Sequence, residues 1–393
     1  MTIQVASPAP VRAAAPSSPP YTLIVLSHLG WDWVWQRPQH LLSRLARRHP
    51  VFFVMEPLLD ENPAAPYLKI ESRGAGVTVA WPVFSIPQAD AAGGFYPLIG
   101  QLVDAWIAQE GVQNPVFWLY TPMAQPVVAD RPGAVVVFDA MDELAAFRVA
   151  PPVLKAREAA LMQRADLVFT GGHSLYEARQ GRNPQVYCFP SGVERAHFAT
   201  ALERGTPEAP ALAGLPHPRI GFYGVIDERL DLDLLRQVAA LRQHYQWIMV
   251  GPTAKIDAAD LPQAPNIHYP GKQEYAALPG FLKGFDVCMM PFALNESTRF
   301  ISPTKTLEYM AAHKPVVSTP ITDVAGPYGH IVRLAGTADE FVAAVDAALA
   351  EDPATCAARI ASEDEVLAQQ EWDQIAAEME QLIDACYVAH LQG

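Results

Sequence analysis

Four polar residues in the stretch RFISPTKTLEYMAAHKPVVST, residues 299–319, have types and spacing that suit anion binding. Ser302 and Pro303 predict a helix start, with serine as the cap and proline at the first helical position. Lys305 then lies in the first turn, where the helix dipole destabilises a cation by roughly 0.3–1 kcal/mol. A bound phosphate would reverse that effect, because unpaired N–H groups at a helix start favour anions. Ser302, Thr304 and Lys305 therefore predict a phosphate cradle.

Glu308 lies one helical turn after this cradle. A carboxylate can accept hydrogen bonds from both hydroxyls of a ribose, as acidic residues do in dinucleotide-binding folds. The simpler alternative is a surface ion pair between Lys305 and Glu308, which would stabilise the helix by about 0.2–0.5 kcal/mol. The charges alone leave both interpretations open.

A second group of residues, HLGWDWVWQRPQH at positions 28–40, combines three tryptophans with ionisable side chains. It follows an apolar segment that predicts a buried strand, so it should border a site at the carboxyl end of a sheet. A tryptophan such as Trp31 could stack on a sugar ring, and Arg37 could reach a bound phosphate. The alternative is that Trp33 and Trp35 are only core or loop anchors.

Several carboxylates and imidazoles follow predicted strands and could act as a general base. Such a base must lie within hydrogen-bond reach of the hydroxyl that it deprotonates. The candidates are His28, Asp32, Asp142 and His173, with Asp139 as a further one. A structural role is the simpler interpretation for each of them taken singly.

Composition narrows the classes of protein that fit. The chain has 393 residues, half of them hydrophobic, which suits two domains of about 150–200 residues each. Its formal net charge of −14 argues against general nucleic-acid binding. Cys188, Cys288, Cys356 and Cys386 are isolated from one another, which argues against a disulfide framework or a zinc site and favours a reducing cytoplasm.

The ends and the order of segments predict a two-domain α/β chain. Residues 1–20 are rich in Pro, Ala and Ser and lack the apolar core of a signal peptide, so we predict a disordered tail. Apolar runs then alternate with amphipathic segments, which predicts doubly wound parallel sheets. We predict Rossmann-like domains at 21–199 and 219–365, a linker at 200–218, and a final helix at 366–393 that could pack back on the first domain. The two sheets should face each other across a cleft.

The stretch SPTKTLEYMAAHKPVVSTP resembles the nucleotide-sugar motif of GT-B glycosyltransferases, in particular the family 4 and group 1 enzymes. GVIDERLDLDLL at 224–235 is similar to the glycine loop of that family, and the segment IMVGP resembles a later strand. The N-terminal SHLGWDWVWQRPQHLLSRLA is similar to a bacterial subgroup involved in polysaccharide and cell-wall assembly. The resemblance covers nearly the whole chain after residue 20. It implies a GT-B fold with an N-terminal acceptor domain and a C-terminal nucleotide-sugar domain.

The resemblance also implies roles for individual residues. Arg229 and Lys305 would hold the diphosphate of the donor, Glu308 would bind its ribose, and residues 269–272 would lie near its base. The acceptor side would be Trp31 and Arg37. The complete set of implied donor-binding residues is Gly224, Arg229, Gly251, Lys272, Ser302, Pro303, Thr304, Lys305 and Glu308.

One departure from the family concerns the donor sugar. The family often has a glutamate eight positions before the ribose glutamate, where this chain has Phe300. Glu296 is close but out of register. The acidic pair Asp231 and Asp233 is similar to the D-x-D metal motif of a different glycosyltransferase fold, but acidic residues also favour the first turn of a helix. GT-B enzymes use basic residues in place of a metal, so we predict no metal and no cofactor.

These observations together predict a metal-independent glycosyltransferase, with hexosyl transfer as the expected reaction. It would transfer a sugar from a nucleoside-diphosphate sugar to a hydroxyl of a glycan or lipid-linked acceptor in bacterial surface-polysaccharide synthesis. The alternatives are a GT-B nucleotide-sugar epimerase or hydrolase, and an inactive nucleotide-sugar-binding protein. We expect a cytoplasmic monomer or weak dimer that binds no nucleic acid, with contact at the inner face of the membrane left open. The base, the sugar, the acceptor and the stereochemistry do not follow from the sequence.

Overall fold

The computed structural model describes residues 20–61, 63–147 and 150–392. The predicted disordered tail lies outside the described residues, apart from Pro20. Within the described residues the chain forms two sheets with helices on both faces, which confirms the predicted pair of Rossmann-like α/β domains.

The first sheet belongs to the N-terminal domain and runs in the order β3-β5-β2-β1-β6-β7-β8-β9, with β4 paired to β5. Its strands are β1 (Leu23–Leu26), β2 (Val51–Val54), β3 (Leu58–Leu59), β4 (Tyr67–Gly74), β5 (Val77–Phe84), β6 (Val116–Leu119), β7 (Val135–Ala140), β8 (Leu167–Thr170) and β9 (Val186–Cys188). The helices around it are α1 (Arg37–Leu45), α2 (Ile86–Ala91), α3 (Phe95–Glu110), α4 (Gln125–Val128), α5 (Leu154–Arg164) and α6 (His173–Arg179). The short helix α7 (Arg195–Ala199) follows and packs on the C-terminal domain, where Phe198 is buried in the core.

The central strands of this sheet are buried on both faces, which explains their unbroken apolar sequences. Leu23 of β1 pairs in parallel with Val51 of β2 on one side and with Val116 of β6 on the other. The hairpin of β4 and β5 is antiparallel and was not predicted. A search for buried apolar strands misses β4, because its residues are mostly exposed and polar. Its partner β5 turns an apolar face toward the core.

The second sheet has the order β12-β11-β10-β13-β14-β15 and is parallel throughout. Its strands are β10 (Arg219–Tyr223), β11 (Gln246–Val250), β12 (Ile267–Gly271), β13 (Val287–Met290), β14 (Val316–Ser318) and β15 (Arg333–Leu334). The remaining helices are α8 (Leu232–Leu241), α9 (Leu278–Gly284), α10 (Thr304–Ala311), α11 (Thr322–Tyr328), α12 (Ala338–Leu349), α13 (Pro353–Leu367) and α14 (Trp372–Gln392).

Residues 200–218, taken as a linker from their composition, are packed on the C-terminal domain. Ala209 and Leu212 are buried in its core, and the Ala209 N–H donates to the Gly280 carbonyl over 3.0 Å. The segment forms two short 3-10 turns in place of an α-helix, which explains why its sequence has no helical period. The segment is therefore packed as part of the C-terminal domain and is not an unpacked connection between the domains.

Helix α14 returns the chain to the N-terminal domain and packs against α1. Its buried residues recur every three or four positions and enter the N-terminal core, with Trp372 only 1% exposed. The Trp372 ring stacks on His40 of α1 with 5.0 Å between ring centroids. At the other end of α14, Asp384 accepts a 2.7 Å hydrogen bond from Arg48. The helix thus fastens the end of the chain to the first domain.

Among the described residues, no helix combines the length and the hydropathy needed to cross a lipid bilayer.

Substitution of Trp372, which anchors α14 to the first domain, tests this packing. Trp372→Ala should lower the free energy of unfolding by about 3–5 kcal/mol, because it removes a fully buried aromatic side chain and leaves a cavity. Urea denaturation measures the change. The control is Gln381→Ala on the exposed face of the same helix, which should change stability by less than about 0.5 kcal/mol. An unchanged urea midpoint for Trp372→Ala would mean that α14 does not fasten the domain.

Candidate donor-binding cleft

A cleft of about 500 Å³ lies between the two domains. It opens where β10 and β11 of one sheet, and β1 and β7 of the other, reach their carboxyl ends, which is where ligands bind to parallel sheets. Every predicted donor-binding residue lines it: Gly224, Arg229, Gly251, Lys272, Ser302, Pro303, Thr304, Lys305 and Glu308. The residues predicted to bind the donor therefore lie together in one cleft, although their individual roles remain predictions.

Two glycines form the floor of the cleft. Gly224 and Gly251 follow β10 and β11, and both have a φ of +143°, which an L side chain rarely adopts. A Cβ on Gly251 would lie 1.8 Å from the Gly224 carbonyl oxygen. A Cβ on Gly224 would lie 2.2 Å from Cε of Lys305. Both positions therefore require glycine, so that β10 and β11 can end close together and Lys305 can pack over Gly224.

Lys305 points across this floor, and among the described residues its ammonium group makes no ion pair. Its Nζ lies 5.7 Å from the centroid of the Phe222 ring. Burial lowers the pKa of Lys305, while the nearby Glu308 acts in the opposite direction. The surface ion pair considered as an alternative does not form within 4.0 Å, because Glu308 is buried and turned into the cleft. A partly buried ammonium group that lines a cleft without a paired anion is suited to bind one from solution.

The start of α10 differs from the prediction by one residue. The helix begins at Thr304, and Pro303 is the N-cap, in an extended conformation with ψ of 120° and no side-chain cap. Ser302 was therefore wrong as the cap, because the extended backbone of Pro303 moves the helix start one residue further along the chain. The carbonyl of Ser302 instead accepts a 3.0 Å hydrogen bond from Ser191 of the N-terminal domain. Thr304 and Lys305 of the first turn still line the cleft, and the N–H groups at a helix start lack carbonyl partners within the helix.

Arg229 reaches the cleft from the loop after β10 and is held by Asp227. Its Nε lies 2.9 Å from Oδ1 and its Nη2 lies 2.7 Å from Oδ2 of that carboxylate. The Arg229 backbone N–H also donates to Asp227 over 3.0 Å. Three contacts with the guanidinium and one with the backbone fix the cation before any ligand arrives. Sequence reasoning missed Asp227, although the motif ID-x-R contains it.

Glu308 is 7% exposed and lines the cleft one turn below Lys305. Burial raises its pKa, and the positive charge of Lys305 opposes that shift. The phenol of Tyr223 is buried beside Glu308, and its hydrogen bond to the carboxylate acts to lower the pKa of Glu308. A polyhydroxyl ligand would find an acceptor and a donor at this position.

The tryptophans divide into one anchor and two exposed rings. Trp31, predicted to bind the acceptor, is 7% exposed and packs edge-on against Phe53 with ring centroids 5.1 Å apart. Trp33 and Trp35 are 44% and 41% exposed and also line the cleft. The rings free to stack on a ligand are therefore Trp33 and Trp35, and Trp31 is the core anchor.

Arg37, the other predicted acceptor contact, is committed to the protein. It is 3% exposed, and its Nε donates to both oxygens of the buried Asp139 at 3.1 Å. Its Nη1 donates to the Phe189 carbonyl over 2.8 Å. Although Arg37 borders the cleft, the ion pair fixes its guanidinium, so the prediction that it binds the acceptor is not supported by its contacts. Asp139, a further base candidate, is likewise structural.

Only two of the four predicted catalytic residues line the cleft. Asp142 does, and burial raises its pKa, with Arg229 opposing the shift. Asp32 does as well, but it is exposed and paired with Arg73 over 2.7 Å. His28 lines a neighbouring cavity, and His173 Nδ1 lies 3.7 Å from Cys188 Sγ, so neither reaches this cleft. Strand ends are adjacent along the sheet, but their loops diverge, which sequence alone does not show.

The loop after β12 contributes more of the cleft than predicted. Residues 272–275 line it, whereas Tyr269, predicted to lie near the base, does not. Lys272 Nζ lies 5.4 Å from the Trp33 ring centroid, so the two domains meet here. Phe300 and Glu296 do not line the cleft either, and Phe300 instead packs under the Arg299 guanidinium at 5.1 Å. The missing family glutamate therefore has no replacement from these two positions.

Comparison with known proteins finds a family similarity in the C-terminal domain. Residues 217–351, which include α10 and both floor glycines, match the family model described as glycosyl transferases group 1. The putative teichuronic acid biosynthesis glycosyltransferase TuaH of Bacillus subtilis (strain 168) is 27% identical over 175 residues, which cover 42% of this chain and 43% of that protein. The chain therefore matches less than half the length of this curated relative.

Solved structures resemble nearly the whole chain. An α,α-trehalose 6-phosphate synthase from Burkholderia multivorans superposes with a TM-score of 0.67 at 13% identity, covering 95% of this chain and all of that one. The E. coli trehalose-6-phosphate structure bound with UDP-2-fluoro glucose gives a TM-score of 0.64 at 16% identity, covering 92% and 99%. At this identity the likeness concerns the fold. The resemblance stated from the sequence is thus confirmed: the protein has the GT-B fold, and its C-terminal domain is similar to the group 1 glycosyltransferases.

Proposed function

We propose that this protein transfers a sugar from a nucleoside-diphosphate sugar to a hydroxyl of a glycan or lipid-linked glycan in bacterial surface-polysaccharide synthesis. The observation that supports it best is the convergence on one cleft of Lys305, Arg229, the first turn of α10 and Glu308. The cations and N–H groups suit a diphosphate, and the carboxylate suits a ribose at the distance of one helical turn. The family match of the C-terminal domain supports the same reaction class.

The reaction joins an acceptor oxygen to the anomeric carbon of the donor sugar. The bond from that carbon to the β-phosphate oxygen breaks, and its electron pair leaves with the nucleoside diphosphate. Lys305 and Arg229 would stabilise the charge that develops on this leaving group, the kind of electrostatic effect that usually dominates catalysis. The acceptor proton passes to a carboxylate or to an oxygen of the departing diphosphate, and Asp142 is the carboxylate of the N-terminal domain that lines the cleft with a raised pKa.

Two cations at the diphosphate make a metal ion unnecessary in this proposal. We also propose that the protein works in the cytoplasm, where nucleotide sugars are available, and that it meets lipid-linked acceptors at the inner face of the membrane. The test is incubation with UDP-, GDP- and dTDP-sugars, with and without a glycolipid extract of bacterial envelope. We expect one donor to release nucleoside diphosphate only with the extract, and to do so in EDTA. Release without acceptor would favour a hydrolase or epimerase, and binding without release an inactive protein.

Substitution of Lys305 tests the diphosphate cradle. Lys305→Ala should weaken nucleoside-diphosphate binding by roughly 1.5–3 kcal/mol, or about 10- to 150-fold, because a charge-assisted contact is lost. Calorimetry measures the affinity, and the circular dichroism spectrum checks the fold. Lys69→Ala, on an exposed edge strand, is the matched control and should bind normally. Equal affinities of the two variants would exclude the cradle.

Glu308 allows the ribose contact to be separated from the phosphate contact. Glu308→Gln keeps the size of the side chain but replaces a strong acceptor of two hydroxyl hydrogen bonds. Binding of nucleoside diphosphate should weaken by about 1.5–3 kcal/mol, the value for hydrogen bonds to charged groups, while binding of pyrophosphate should change far less. Similar losses for both ligands would remove the ribose assignment.

The pH dependence tests Asp142. Whether this group takes a proton or accepts a hydrogen bond, it must be a carboxylate, so transfer should slow as the pH falls through its pKa. Because burial raises that pKa, the decline should begin at a higher pH than for an ordinary aspartate. Asp142→Asn should lower kcat by at least about 10-fold and flatten this part of the profile. A variant with the wild-type profile would show that Asp142 is not involved.

A further inference from the structure

The N-terminal sheet ends in an edge strand with one open side. β4 (Tyr67–Gly74) pairs with β5 along one side, and no strand in the described part of the chain pairs with its other side. A strand edge of this kind presents unpaired N–H and carbonyl groups, which can pair with a strand of another molecule. With eight residues, β4 is long enough to form several such backbone hydrogen bonds.

The other edges of the two sheets are less suited to pairing. β3 and β15 have two residues each, and β9 has three. β12 contains Pro270, which has no N–H group and interrupts a ladder of backbone hydrogen bonds. Among the described strands, β4 is therefore the edge that is most open to a partner.

The side chains of β4 form a charged face and an opposite face with an exposed isoleucine. Lys69, Glu71 and Arg73 share one face, because alternate residues of a strand point to the same side. Lys69 Nζ lies 2.9 Å from Glu71 Oε1, and both side chains are well exposed to solvent. On the opposite face Ile70 is 44% exposed. A partner strand could bury this isoleucine and contact the alternating charges.

The sequence of β4 is complementary to itself about Ile70. Opposite residues of an antiparallel pair point to the same face, so a two-fold axis between two copies of the strand must pass through a residue. An axis through Ile70 places the two copies of this isoleucine opposite each other. It also places Lys69 opposite Glu71 and Tyr67 opposite Arg73, an ion pair and a cation–π pair on each side of the axis.

The neighbouring registers are unfavourable for the same charges. An axis through Lys69 would place two lysines directly opposite each other, and an axis through Glu71 would do so with two glutamates. Like charges in this position destabilise a strand pair, which is why lysines usually protect edge strands from pairing. In β4 the alternation of charge leaves the register centred on Ile70 as the one in which opposite charges meet.

We propose that the protein forms a two-fold symmetric dimer in which β4 pairs antiparallel with β4 of a second copy, with Ile70 on the axis. The pairing would join two nine-stranded sheets into one continuous sheet. Backbone hydrogen bonds supply the affinity of such strand addition, and the side chains select the register. The strand has fewer residues than the roughly 20–30 a side of a standard stable interface, so the dimer is weak and depends on concentration.

Sedimentation equilibrium of the full chain at a series of protein concentrations tests this proposal. The wild type should change from monomer to dimer as the concentration rises. Glu71→Lys should weaken the dimer at least about 10-fold, because each Lys69 then faces a lysine. Adding Lys69→Glu to that variant should restore the wild-type dissociation constant, because the two charges are then exchanged. Glu110→Lys makes the same charge change at the exposed end of α3 and should leave the dimer unchanged.

A cysteine on the axis tests the register directly. Opposite Cα atoms of an antiparallel pair lie about 4.5–5.5 Å apart, a distance that a disulfide can span. Ile70→Cys should therefore give a covalent dimer on mild oxidation. Ser72→Cys is the matched control on the same face, and it should not cross-link because its two copies would lie roughly 13 Å apart along the strands. The wild type, whose four free cysteines are buried or half-buried, gives the background.

Several results would overturn the dimer. They are a chain that stays monomeric at every concentration, a dimer that Glu71→Lys leaves intact, and a double variant no tighter than Glu71→Lys alone. A monomer that binds anionic lipid vesicles, and loses that binding with Ile70→Asp, would make lipid the partner of this edge instead. Nucleoside-diphosphate binding should be the same in all these variants, since Lys305 and Arg229 lie in the other domain, so the inference fails or stands apart from the proposed function.

Discussion

The contact between Gly224 and Gly251 is the constraint on which the rest of the donor site depends. The carbonyl of Gly224 occupies the space where a Cβ of Gly251 would lie, so β10 and β11 can end side by side with bare backbone. Lys305 then fills the space above Gly224 and presents its ammonium group to the cleft. Any side chain at either glycine would displace the lysine or separate the strands. The packing of the two glycines therefore determines the position of the Lys305 ammonium group.

The charges around this floor are arranged in two different ways. Arg229 is already paired with Asp227, which fixes its position and reduces its net field. Lys305 has no such partner among the described residues, and burial destabilises its charged form. An incoming dianion would relieve that cost at Lys305 and meet a preorganised fork at Arg229. The ion pair between Arg37 and Asp139 differs from both, because its two buried charges neutralise each other in the wall of the cleft.

The relation between the domains is set by chain connectivity as well as by contacts. Residues 200–218 belong to the C-terminal domain by packing, and α14 crosses back so that Trp372 completes the N-terminal core. Near the cleft the domains meet through polar and cation–π contacts, such as Ser191 with Ser302 and Lys255 with Phe147. Polar interfaces of this kind permit relative domain motion. The donor cleft itself is lined by residues of both domains.

The alternation of apolar runs predicted the fold class, because it depends on a local period. The spacing of Lys305 and Glu308 in one helix predicted an anion and ribose site, and the resemblance to GT-B enzymes added Gly224, Gly251 and Arg229 to it. The sequence could not reveal that Arg37 is held by Asp139, 102 positions away. Nor could it show that His28 faces a separate cavity, or that Lys255 reaches into the other domain. Those placements depend on how loops diverge and domains dock, which are long-range contacts that only the tertiary structure decides.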